Sequence, residues 1–254
     1  MALLGAGLEG AGVIVTGAAG GIGEATARAL AEAGAQVCAL DLPGPALDDL
    51  VAALPGRQDH FALPLDLGDT SALDPAVHDA VEHLDRFWGL VHAAAFLQRQ
   101  SPEEVTEETW DAQLDVNLKA TFWLNRAAGE LLVARGQGGR IINFTSAAWM
   151  TGPMLDSDVY SASKGGVVTM TKGFARRLGA AGITVNAISP GQIETAMQRK
   201  QNTPEAMAAV AANCPLGRTG TAAEVAAVAV FLASSHASFV SGATINVSGG
   251  LLMY

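Results

Sequence analysis

The sequence predicts a single α/β domain built on a parallel β-sheet, and three observations predict it. Short β-branched runs alternate with longer alanine-rich segments of helical period, the pattern of strand–helix–strand units. A glycine-rich turn stands between the first strand and the first helix. The 254 residues, half of them hydrophobic, suffice for one large core, and no linker, low-complexity tract or short repeat divides them.

The first unit is the clearest. Residues 13–16, VIVT, read as a buried strand, 17–21 as a turn and 22–33 as a helix; Gly34 stops that helix and 35–40 form the second strand. Further strands are expected at 60–64, 89–93, 140–145, 184–188 and 244–247, and helices at 75–86, 107–134, 160–180 and 222–234. The stretch 191–220, with Pro204, Pro215 and several polar residues, breaks this rhythm. It reads either as a lid over a site or as a surface excursion carrying a short helix.

Charge narrows the function classes. A net charge of -10 without clustered Lys and Arg argues against a nucleic-acid or anionic-membrane surface and leaves a small-molecule partner. Cys38 and Cys214 lie far apart with no metal-ligand or redox spacing, so both read as reduced cysteines of a cytoplasmic protein, and no metal is expected. The opening MALLGAGLEGAG lacks the basic region and apolar run of a signal peptide, and no run of about 20 apolar residues is present to span a membrane. A soluble, unprocessed protein is expected.

The turn TGAAGGIG, residues 16–23, holds Gly17, Gly21 and Gly23 where a strand opens into a helix. A pyrophosphate at a helix N-terminus is bound by free backbone N–H groups and the helix dipole, and residues without Cβ let it come close. Asp41 answers this turn at the end of the second strand, where a carboxylate can accept hydrogen bonds from an adenosine ribose diol. It could also be a plain turn residue ahead of Pro43. A carboxylate beside that ribose repels a 2'-phosphate, and no Arg or Lys lies in 18–22 or directly after Asp41, so NAD is favoured over NADP. Asp66 and Leu67 follow the third strand and could meet the adenine; Asp66 could equally cap a helix.

A second motif is DSDVYSASK, residues 156–164, which sets Tyr160 and Lys164 on one face of a helix. Alone, such a pair is usually a solvated edge. With TGAAGGIG and YSASK in one chain, however, the sequence resembles the short-chain dehydrogenase/reductase family over nearly its whole length. Also similar to that family are PLDL with Asp66, Asn117 in DVNLKA, Ser146 in INFTS, SPGQIET at 189–195, and the closing LASSHASFVSGATINVSGG.

The resemblance implies a Rossmann-type, doubly wound sheet of seven parallel strands in one domain, and a homotetramer with two-fold interfaces. It implies an NAD-dependent enzyme interconverting a secondary alcohol and a ketone. Tyr160 would take the proton of the substrate hydroxyl in oxidation, or give one to the carbonyl oxygen in reduction, while Ser146 holds that oxygen. A free tyrosine has a pKa of about 10, so a base at neutral pH needs a positive charge beside it, and Lys164 would supply that charge. Lys164 would also bind the nicotinamide ribose, and Asn117 would hold a water linking the lysine to solvent. Asn117 could instead be a core polar residue that kinks its helix. The cofactor would lie along Gly17, Gly21, Ile22 and Gly23, then Asp41, Asp66, Leu67 and Ala94, then Tyr160, Lys164, Pro190 and Gly191. Ile193 and Thr195 would meet the carboxamide, with a structural turn as the alternative.

The chain departs from the family pattern in three places. The strand end that usually reads Asn-Asn-Ala-Gly is HAAA, residues 92–95; here His92 reads as a structural residue, and Ala95 puts a methyl group where the cofactor passes. Ser248 stands where an aspartate is common, and the gap from Ser146 to Tyr160 is one residue longer than usual. Phe96, Trp149, Met150, Met154 and Met197 fall on the expected substrate side, where they would form an apolar, adaptable pocket for an aromatic or alicyclic substrate or else serve in packing. Two rival functions share these motifs: an NADP-linked 3-oxoacyl thioester reductase, and a dinucleotide-binding regulatory protein without turnover.

Overall fold

The computed structural model describes residues 4–57, 59–153, 156–195 and 203–254. Its seven-stranded parallel sheet runs in the order β3 (Phe61–Pro64), β2 (Gln36–Asp41), β1 (Gly12–Thr16), β4 (Phe87–His92), β5 (Gly139–Phe144), β6 (Ile183–Pro190), β9 (Thr244–Val247). A two-stranded parallel pair, β7 (Ile193–Glu194) with β8 (Gly220–Thr221), lies apart from it. The order reverses between β1 and β4, which leaves a crevice at the carboxyl ends of those two strands.

Both faces of the sheet are covered, so its strands are apolar throughout and successive residues feed opposite cores. In β1, Val13 and Val15 enter one core while Ile14 enters the other; in β2, Val37 and Ala39 part in the same way from Cys38 and Leu40. The first core is closed by α1 (Gly21–Glu32), α2 (Pro45–Ala52) and α9 (Ala222–Ala233), the second by α3 (Leu73–Glu82), α5 (Ala120–Arg135) and α7 (Asp158–Leu178). Helices α1 and α9 pack against each other, and the small side chains Ala27, Ala31, Ala229 and Ala233 are buried in the core they share. Cys38 and Cys214 are buried free thiols, and burial pushes the Cys38 thiol up.

The expected strands are all present, their bounds moved by one to two residues. Helix α2 was not anticipated: its eight residues are short for a periodic signal, and Pro45 at its start is the clearest local cue. The helix expected over 107–134 is divided. It consists of α4 (Glu107–Leu114), a π-helical turn over Asp115–Lys119, and α5. The extra residue of that turn goes with Asn117, which is fully buried and held by a partner outside the helix. The stretch 191–220 contains β7, β8 and α8 (Pro204–Asn213). No helix among the described residues is long and apolar enough to cross a membrane.

Candidate active site

A cleft of about 560 Å³ opens at the reversal point of the sheet. Its floor is the β1–α1 turn. Gly17 has φ +66°, and a methyl group there would lie 2.7 Å from the backbone nitrogen and Cα of Ala94 on the neighbouring loop. A methyl at Gly23 would run into the Gly17 carbonyl. Gly20 caps α1 without a side-chain hydrogen bond, so the first N–H groups of the helix face the cleft beside Gly21 and Ile22. A pyrophosphate fits this uncapped, Cβ-free cradle.

At one end of the cleft stands Asp41. One carboxylate oxygen accepts the Ala19 N–H at 2.8 Å and the other the Leu42 N–H at 2.8 Å, so Asp41 braces the glycine turn and keeps lone pairs for a ligand. Asp66 and Leu67 line the same end, and Asp66 accepts the Gly68 N–H, which makes it a turn-capping residue at the cleft edge. Among the described lining residues the only cation is Lys164, at the other end.

That other end is built by β5 and α7. Tyr160 and Lys164 share a face of α7, with the Lys164 ammonium 5.6 Å from the Tyr160 ring centroid. Lys164 is 2% exposed and donates to the Phe144 carbonyl at 3.0 Å, while Thr145 Oγ1 donates to the Lys164 carbonyl at 2.7 Å. The end of β5 therefore grips the helix at the two residues just before Ser146. The Ser146 side chain stands close enough to the Tyr160 hydroxyl to lower its pKa, and both line the cleft. Between Ser146 and Tyr160 lie α6 (Ala148–Thr151) and the turns at Gly152 and Asp156, both with positive φ.

Burial sets the charges here. It pushes Tyr160 up to about 12, against the opposing pull of the Ser146 hydrogen bond, and brings Lys164 down to about 8. The ammonium donates to the Phe144 carbonyl, and desolvation of the Tyr160 hydroxyl outweighs the lowering by Ser146. In this state Tyr160 is a proton donor at neutral pH.

The Asn117 Oδ1 accepts the Phe96 N–H at 2.8 Å and its Nδ2 donates to the Phe96 carbonyl at 2.7 Å, so the side chain clamps the loop after β4 and keeps one lone pair and one N–H. Its own carbonyl accepts from Thr121.

The family described as Enoyl-(Acyl carrier protein) reductase matches residues 17–252. The chain belongs to the short-chain dehydrogenase/reductase family. It is 38% identical over 250 residues to the 3-oxoacyl-[acyl-carrier-protein] reductase FabG of Thermotoga maritima, covering 97% of this chain and 99% of that one. It is 38% identical over 256 residues to the (3R)-3-hydroxyacyl-CoA dehydrogenase of Mus musculus (97% and 98%), and 36% identical over 245 residues to the D-threitol dehydrogenase of Mycolicibacterium smegmatis (96% and 93%). A crystal structure from Sinorhizobium meliloti 1021, assigned to the short-chain alcohol dehydrogenases, superposes with a TM-score of 0.91 at 33% identity over 96% of this chain and 97% of that chain. Members of this family are oxidoreductases that bind a nicotinamide cofactor.

In this family member one cleft collects most of the residues singled out in the sequence. Ala94 and Phe96 enter it from the loop after β4, Pro190 and Gly191 from the end of β6, and Ile193 and Thr195 from β7 onward. Trp149 is not among the described lining residues; its ring packs edge-on against Tyr254 at 5.3 Å, and Met150 is exposed. Met154 and Met197 lie outside the described residues. Val116, Phe144 and Thr145 line the cleft without having been singled out. The position of Thr145 beside Ser146 was the only local sign of it. Substituting Gly17 by alanine forces a methyl group onto Ala94 in a left-handed backbone; the expected result is loss of NADH binding by at least about tenfold, read by fluorescence titration.

Proposed function

We propose that this protein is an NAD-dependent alcohol dehydrogenase or carbonyl reductase, with Tyr160 as acid–base, Ser146 as holder of the substrate oxygen and Lys164 as the charge beside them. The observation that carries this reading is the arrangement of one cleft, with Ser146, Tyr160 and buried Lys164 at one end and Asp41 at the other. A bound nicotinamide supplies the hydride acceptor or donor. Its adenosine ribose would lie at Asp41, its pyrophosphate at Gly21 to Gly23, and its nicotinamide ribose at Lys164, which has three N–H bonds and gives one to Phe144.

In reduction, Tyr160 gives its proton to the carbonyl oxygen held by Ser146, and the phenolate left behind is stabilised by the Lys164 ammonium. In oxidation the same groups run in reverse. Ile193 and Thr195 would bind the carboxamide, and Asn117 acts through Phe96, whose partly exposed ring supports an apolar substrate such as an aromatic or alicyclic alcohol. The preference for NAD rests on Asp41, because a 2'-phosphate there would meet a carboxylate and no described cation. The likeness to 3-oxoacyl and hydroxyacyl enzymes favours a second reading, reduction of a 3-oxoacyl thioester with NADP. We further propose a cytoplasmic homotetramer, for which exposed Trp110 on α4 and Phe122 and Val133 on α5 offer apolar surface.

Turnover followed by nicotinamide absorbance on secondary alcohols, ketones and a 3-oxoacyl thioester, with both nucleotides, tests this assignment. Tyr160→Phe is expected to lower turnover by roughly 10²–10⁴-fold with NADH still bound; substantial remaining turnover would sink the mechanism. Asp41→Ala is expected to narrow the preference for NADH over NADPH by about tenfold, and equal affinity of the unaltered protein for both nucleotides would refute the role given to Asp41. For ketone reduction, kcat should hold at neutral pH and fall as the pH rises through about 8, where Lys164 loses its proton. A rate flat across that range would remove Lys164 from the proton-transfer step.

A further inference from the structure

His92 is a buried titratable side chain that the chemistry above leaves unused. It closes β4 at 3% exposure and lies in register between Thr16 of β1 and Asn143 of β5. The three side chains therefore share one sheet face and form a polar layer beyond the apolar row of Ile14, Leu90 and Ile141.

Thr16 Oγ1 and His92 Nδ1 are 2.7 Å apart, and Thr16 Oγ1 accepts the Ala94 N–H at 3.3 Å. Thr16 Oγ1 can accept twice, but its own proton has no acceptor other than His92 Nδ1 among the described residues, which favours the imidazole hydrogen on Nε2. Burial first, and the nearby Lys164 ammonium second, push His92 down to about 3, which keeps it neutral at working pH. Its Nε2 is buried with no partner among the described residues, and so is Oδ1 of Asn125. Asn125 belongs to the same layer, donating to Asn143 at 3.1 Å, which in turn donates to Thr171 at 3.1 Å.

Thr16 leads into Gly17, whose backbone abuts Ala94, so the chain His92–Thr16–Ala94 ties together the two loops that wall the cleft. We infer that His92 is a positioning residue for the nucleotide: as the Nε2–H tautomer it holds Thr16, and through Thr16 the Ala94 turn. This rests on the reading that the cleft binds a nicotinamide dinucleotide.

Two measurements test it. Nitrogen NMR of the histidine-labelled protein, with the His92 signals assigned by their loss in His92→Asn, should show Nε2 protonated and Nδ1 bare; the opposite tautomer overturns the inference. In NADH titrations, His92→Leu and Thr16→Val should each weaken binding about tenfold, the double variant no further, and His92→Asn, which keeps an acceptor for Thr16, should bind like the unaltered protein. The kcat at saturating nucleotide should stay within about twofold, since the reacting groups are untouched. Unweakened binding in His92→Leu, simple additivity in the double variant, or an asparagine variant as weak as the leucine one would each remove the positioning role alone. If His92→Leu does not fold, Thr16→Val and the tautomer decide. Failure of the unaltered protein to bind either NADH or NADPH would remove the dinucleotide reading and the positioning role together.

Discussion

The buried ammonium of Lys164 is the constraint on which the rest of the site depends. Removing a charge from water is costly, and here it is offset among the described residues by one bond to the Phe144 carbonyl. That bond requires α7 to lie against the carboxyl end of β5, and Thr145 locks the same junction from the helix side. Tyr160, one turn earlier, is thereby brought against Ser146, one residue beyond Thr145. The same desolvation lowers the lysine to about 8 and raises the tyrosine to about 12, so two groups whose free values nearly coincide are driven apart.

The second organising element is the reversal of strand order between β1 and β4. Helices leave these two strands toward opposite faces, and the carboxyl ends part into a crevice that neither helix fills. The crevice is shaped by very close backbone approach, with Gly17 against Ala94 and Gly23 against Gly17. Side chains then fasten the loops: Asp41 holds the glycine turn through Ala19, Asn117 holds Phe96, and Thr16 with His92 holds Ala94. The π-helical turn belongs to this system, since it accompanies the placing of the Asn117 amide on the Phe96 backbone.

What could be read from the chain alone is what short-range chemistry encodes. Strand and helix periods, the glycine turn and its following Asp41, and the one-turn spacing of Tyr160 and Lys164 are local patterns. They determined the fold class and most of the residues that meet in the cleft. The tertiary structure decided what depends on neighbours distant in sequence. Nothing near Asn117 announces that its partner is Phe96, nothing near Trp149 announces Tyr254, and the row HAAA does not show that His92 faces Thr16 across the strand pair. The direction of the Tyr160 shift was also beyond local reading, because it is set by how much protein surrounds the hydroxyl, against the smaller opposing effect of Ser146. Spacing along a helix determines which groups can meet; burial and hydrogen bonding from other strands decide which of them are charged when they do.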